Sequence, residues 1–103
     1  MRQTHLEFDR YFSVVMETDE AQAAEMTVAP GQSVGGPDNS HPESDQWLYV
    51  VDGSGVATVD GEERRIAAGD LLLIEAGEAH GIENDGDVPL ATVNFYTPPR
   101  TDR

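Results

Sequence analysis

Cysteine and lysine are both missing from this chain of 103 residues. Without cysteine there can be no disulfide framework, thiolate nucleophile or thiolate metal ligand, and the redox compartment stays open. Without lysine, six arginines carry all the basic charge against twenty acidic residues, for a formal net charge of −14. A polyanion would be repelled rather than neutralised, which argues against nucleic-acid binding and against an anionic membrane surface. Dense acidity without lysine suits a surface kept hydrated in concentrated salt, where repulsion between carboxylates is screened, so a salt-loving source is expected. A long apolar run is also lacking from the opening stretch, "MRQTHLEFDRYFSVVMETDE". Neither a signal peptide nor a transmembrane span is therefore expected, and the default location is the cytoplasm.

The length fits one domain over residues 1–103 that buries about two thirds of its surface or a little less, so a second copy is expected to help complete the core. Apolar residues alternate in "YFSVVME", "AEMTVA", "WLYVV" and "VATV", which is the period of strands. Turn formers stand between them in "APGQ", "VDGSG", "VDGEE", "AAGD", "EAGEAHG" and "NDGDVP". The pair Asp60-Gly61 predicts a tight hairpin. The continuous run "DLLLIEA" predicts a strand buried on both faces. Together these give about eight short strands, the pattern of an all-β sandwich or small barrel. "TDEAQAAEM" is readable either as one helical turn capped by Thr18 or Asp19 or as strand from Ala21 onward, and residues 98–103 as a frayed tail.

Two segments carry candidate chemistry. From Gly69 the chain reads "DLLLI", Glu75-Ala76-Gly77, "EA", His80, "GIE", Asn84. Over residues 39–53 it reads "NSHPESDQWLYVVDG", with Asn39, His41 and Gln46 ahead of Gly53. The first spacing resembles the second motif of the cupin superfamily, with Glu75 where a proline is usual. The other segment resembles the first cupin motif, with Gln46 at its glutamate, His41 at its second histidine and Asn39 at its first. The arrangement of His41, Asp45 and Gln46 is similar to a branch of small single-domain cupins that includes mannose-6-phosphate-isomerase-like and quercetin-dioxygenase-like members. Asn39 departs even from that branch.

The resemblance spans roughly residues 24–97 and implies an all-β double-stranded β-helix, a jelly-roll barrel that often dimerises. It also implies a divalent transition metal held by His41, Gln46, His80 and Asn39. Asn39 and His41 are two apart, so in an extended segment they face the same way. Gln46 could share that interior, with His80 arriving from a neighbouring strand. Two imidazoles and two amide oxygens suit Zn, Ni, Mn, Fe or Cu, less firmly than three histidines and a carboxylate would. Such a neutral donor set leaves the ion's charge uncompensated and favours an anionic ligand in the open positions.

Plainer alternatives exist for each residue. His80 can be a structural histidine in a barrel mouth, His41 part of a loop before proline, and Gln46 a partner for the backbone. Asn39 stands in "GGPDNS", where a turn is the simpler reading. Asp38, Glu43 and Asp45 form an acidic loop, in which Asp45 could orient a histidine. His5 reads as a surface residue and Glu75 as solvated at a strand end. If Gln46, Leu48 and Val50 face inward, Trp47 and Tyr49 face outward and call for a cover such as a second subunit.

Three functions follow. One is a metal-dependent dioxygenase or isomerase acting on a small anionic or enolisable molecule in the barrel. Another is a non-catalytic binder or sensor, and the third a degenerate barrel that has lost its metal. Few ionisable groups are expected in an interior of Leu, Val and Ile, which disfavours the isomerase for want of a general base.

Overall fold

The computed structural model describes residues 1–36 and 42–100. The expected all-β architecture is present, with nine strands and no helix among the described residues. In chain order these are β1 (Phe12–Glu17), β2 (Gln22–Val28), β3 (Ser33–Gly35), β4 (Asp45–Asp52), β5 (Ser54–Val59), β6 (Glu62–Ala67), β7 (Leu71–Ile74), β8 (His80–Glu83) and β9 (Leu90–Thr97). "TDEAQAAEM" resolves as strand: Thr18 closes a turn by accepting the backbone N–H groups of Glu20 and Ala21, and β2 begins directly after it.

The strands form two antiparallel sheets, a five-stranded one ordered β1-β2-β9-β4-β7 and a four-stranded one ordered β3-β8-β5-β6. The Asp60-Gly61 hairpin is as expected: both residues have positive φ, 47° and 85°, and together they join β5 to β6. That is the geometry a two-residue loop needs to match the strand twist.

Between the sheets lies an apolar cluster of Met26, Val28, Leu48, Val50, Ala57, Ile66, Ile82 and Leu90. Register explains who faces it. Across β2, β9 and β4 the inward rows are Gln22–Tyr96–Gln46, Ala24–Asn94–Leu48 and Met26–Thr92–Val50, with Val28 opposite Leu90 beyond them. The interior thus runs from apolar at one end to polar at the other.

Two expectations need correction. The run "DLLLIEA" is not buried on both faces: β7 is the edge strand of its sheet, and Leu71 and Leu73 are 62% and 44% exposed. They join Trp47, Tyr49 and Phe95 on an open apolar outer face, since Leu73, Trp47 and Phe95 occupy one cross-strand row and Leu71 and Tyr49 the next. An uncovered face produces the same apolar run as a strand buried on both sides. Nor is the start of the tail frayed, for Arg100 packs its guanidinium over the rings of Phe12 and Tyr96.

Candidate metal and ligand site

Gln46, at the start of β4, is 2% exposed and points inward, as expected. Its amide orientation follows from a chain of hydrogen bonds that can run only one way. The carbonyl of Met26 accepts only, so Thr92 Oγ1 donates to it at 2.8 Å. Thr92 Oγ1 then accepts from Asn94 Nδ2 at 3.0 Å, which turns Asn94 Oδ1 toward Gln46 to accept from Nε2 at 2.8 Å. Gln46 Oε1 is left buried, with no hydrogen-bond partner among the described residues. An unpartnered buried carbonyl costs about 1–3 kcal/mol. A relay that holds it there is a preorganised acceptor for something electropositive.

His80 opens β8 and is 6% exposed. It comes from the four-stranded sheet opposite β4, not from a strand beside it, because β8 pairs with β3 and β5. Its Nδ1 lies 3.3 Å from the carbonyl of Glu78, an arrangement in which Nδ1 donates and the lone pair resides on Nε2. Burial lowers the imidazole's pKa below its ordinary value. The charge of Arg100 pushes the same way, against the raising effects of the Glu78 carbonyl and carboxylate. The ring is therefore neutral near pH 7, the form in which histidine binds metals.

The approach to His80 is tightly held. Gly77, with φ of 87°, makes the turn after β7 that a side-chain-bearing residue would strain to adopt. Asp45 Oδ1 accepts from Ala76 N at 2.8 Å, so this residue pins the turn rather than orienting a histidine among the described residues. On the other flank, Asp60 Oδ1 accepts from Ala79 N at 2.9 Å. Gly36 N donates to the His80 carbonyl at 2.9 Å, which ties the end of β3 to the start of β8. Asn39 and His41, the two remaining expected ligands, lie outside the described residues. Asn84 closes the second motif as a structural residue: its Nδ2 donates to the carbonyls of Val28 and Val88, and its Oδ1 accepts from Gly86 N. His5 and Glu75 are exposed, as expected.

Gln46 and His80 line one cavity of about 220 Å³ together with Tyr11, Phe12, Met26, Val34, Tyr96 and Arg100. A larger concavity of about 690 Å³ lies against β3, β8 and β5, where Ser33, Val56, Thr58, Gly81 and Glu83 alternate with the core residues Ala57 and Ile82. It holds neither Gln46 nor His80, which both line the smaller cavity. The donors present there fit a divalent ion: a neutral imidazole and a preoriented amide oxygen without a partner among the described residues. Among the described residues no group of three His, Cys, Asp or Glu side chains converges. Sequence reasoning missed Asn94, Thr92, Tyr96 and Arg100, all of them near or in this cavity. The signal was the polar residue at every second position of "LATVNFYT", in phase with an inward face.

The tetracenomycin polyketide synthase protein TcmJ of Streptomyces glaucescens is 43% identical over 71 residues, 69% of this chain and 46% of that protein. The oxalate-binding protein of Thermotoga maritima is 37% identical over 67 residues, 65% of this chain and 54% of that protein. The chain thus spans about half the length of these curated relatives. Among solved structures, BH2720 from Bacillus halodurans superposes with a TM-score of 0.85 at 23% identity, covering 99% of this chain and 86% of that one. KdgF from Halomonas sp. gives 0.79 at 26% identity, covering 88% of this chain and 80% of that one. Residues 24–96 match the cupin domain family, and the chain belongs to the cupins, with their double-stranded β-helix fold.

Proposed function

We propose that this cupin binds a divalent transition metal, Zn, Ni, Mn, Fe or Cu, through His80, Gln46 and His41, with Asn39 as a fourth donor, and uses it to hold a small anionic or enolisable molecule. The observation that carries this reading is the oxygen of Gln46, buried without a partner among the described residues in the cavity that His80 also lines, and fixed by the Asn94–Thr92 relay. When bound, the ion would supply Lewis-acid polarisation, or O2 chemistry if it is redox active. The chain's own part is to keep the imidazole unprotonated, to aim the amide oxygen, and to exclude bulk water with Phe12, Met26 and Ile82. If the protein is an enzyme, dioxygenase chemistry suits the cavity better than isomerisation, because none of the described lining residues is a carboxylate that could serve as general base.

That same lack of a carboxylate favours a second reading, a non-catalytic binder of small anions, and the name of the oxalate-binding relative is in keeping with it. Elemental analysis of protein purified without a metal-affinity tag tests the common part of both. Stoichiometric metal is expected, and it should be lost in His80→Ala, His41→Ala and Gln46→Ala. A metal-free protein whose melting temperature ignores added divalent ions would refute the metal site. Oxygen uptake with enediol or flavonol substrates then separates dioxygenase from binder.

The open apolar face of Trp47, Tyr49, Leu71, Leu73 and Phe95 supports a homodimer built on the five-stranded sheet. Gel filtration in high salt should return twice the monomer mass, and Trp47→Glu should return the monomer.

A further inference from the structure

Glu25 is a carboxylate buried on the outer side of its sheet. In β2 its neighbours Ala24 and Met26 face the interior, so Glu25 points outward, in one cross-strand row with Val93 and Ser13. Yet it is 4% exposed, and a carboxylate taken out of water is costly unless hydrogen bonds replace its hydration. The N-terminal segment reaches it there: Phe8, half-buried, donates its backbone N–H to Glu25 Oε2 at 3.3 Å, a charge-assisted bond. Phe8 does so with a φ of 54°, in the left-handed region that a bulky residue occupies only where its surroundings hold it.

This clamp leads to the cavity. Regular pairing of β1 with β2 begins at Phe12, opposite Met26. Tyr11 stands just before it, 64% exposed, its carbonyl accepting from Thr27 N at 3.2 Å. Tyr11, Phe12 and Met26 all line the cavity of Gln46 and His80. The ladder holds Phe12 and Met26, whereas Tyr11 is bracketed by the ladder on one side and the Glu25 clamp at Phe8 on the other. Such bracketing matters to a ligand, because a side chain that must be ordered on binding subtracts from affinity.

We propose that Glu25 is a positioning residue for this cavity: from the opposite face of the sheet its buried carboxylate fixes the N-terminal segment at Phe8, and so sets where Tyr11 stands as a wall of the site. The inference rests on the reading of this cavity as the ligand site and adds a residue that acts on it without touching the ligand.

The test is calorimetry on full-length protein with Ni2+, then with oxalate and pyruvate added to the Ni2+-loaded form, beside hydrogen exchange at the Phe8 amide. Glu25→Ala should speed that exchange about 10-fold. It should weaken whichever acid wild type binds about 3- to 10-fold and leave Ni2+ affinity unchanged, because Gln46 and His80 stand on other strands. Glu25→Gln keeps an acceptor oxygen and should restore both readouts. Phe8→Pro removes the donor from a segment outside the strands and leaves Glu25 in place, so it should reproduce the loss even where Glu25→Ala does not fold. In a Tyr11→Ala background Glu25→Ala should weaken the acid no further, a non-additivity that a purely structural role would not give. Unchanged acid affinity in Glu25→Ala or Phe8→Pro, or a full further loss on top of Tyr11→Ala, would overturn the proposal and leave the cavity reading intact. Wild-type protein that binds neither acid would instead sink the reading of the cavity as a ligand site, and this inference with it.

Discussion

The same three strands, β2, β9 and β4, end differently on the inside. At one end Val28, Leu90 and Val50 are apolar, fully or almost fully buried, and packed into the core. At the other, Gln22, Tyr96 and Gln46 occupy one row, where Gln46 Oε1 and both amide atoms of Gln22 lack partners among the described residues. The apolar end gains from every group it removes from water, and the polar end loses from its unpaired atoms. Stability and chemistry are therefore carried by opposite ends of the same strands, and the polar end is tolerable because the apolar end is well packed.

The largest effect should come from breaking the apolar end. Leu90→Ala, at a position with no exposure, should cost about 2–5 kcal/mol in chemical denaturation while leaving metal affinity of the folded protein unchanged. Asn94→Ala addresses the polar end. It should cost less stability, about 1–3 kcal/mol, yet weaken metal binding about 10- to 100-fold, because Gln46 loses the partner that fixes its amide. Equal losses of metal affinity in the two variants would show that the ends are not independent.

How much of this was legible from sequence differs between the ends too. The hairpin at Asp60-Gly61, the strand alternation and the spacing from Gly69 to Asn84 are local signals, and the fold followed from them. The polar end inverts the usual alternation: in β9 Asn94 and Tyr96 are buried while Phe95 is 44% exposed, and in β4 Gln46 is buried while Trp47 faces out. Hydrophobicity alone would place each of those strands with the wrong face inward, and only the motif containing Gln46 corrects it for β4. The exposed edge strand β7 misled in the same way. Arg100 could not be read at all, because "TPPRTDR" signals only solvation and its contacts with Phe12 and Tyr96 are made across the fold.

A smaller effect concerns protons. Burial lowers the pKa of His80 from the ordinary 6.5, so between that value and the native one the unfolded chain binds a proton that the folded chain does not. Stability from this group is complete above about 6.5 and declines as the pH falls toward the native pKa. In chelator-treated protein, the difference in stability between wild type and His80→Gln should change across that window and be flat above it. A flat difference throughout would mean that His80 is not held neutral by its surroundings.

The smallest effect should be at the surface, where Arg65 grips Asp85 through two hydrogen bonds of 2.9 and 3.1 Å and ties β6 to the loop after β8. The hydrogen bond from Arg65 lowers the Asp85 pKa below its usual 3.8, so what the pair contributes is present above that value and lost as pH falls through the native pKa. Both side chains are solvated, at 67% and 37% exposure, and salt screens what remains. Asp85→Asn should therefore shift the melting temperature slightly in dilute buffer and not at all in molar salt, with metal binding untouched. A shift larger than that of Asn94→Ala, or one that survives molar salt, would mean that this surface pair, and not the ends of the interior strands, governs the stability of the fold.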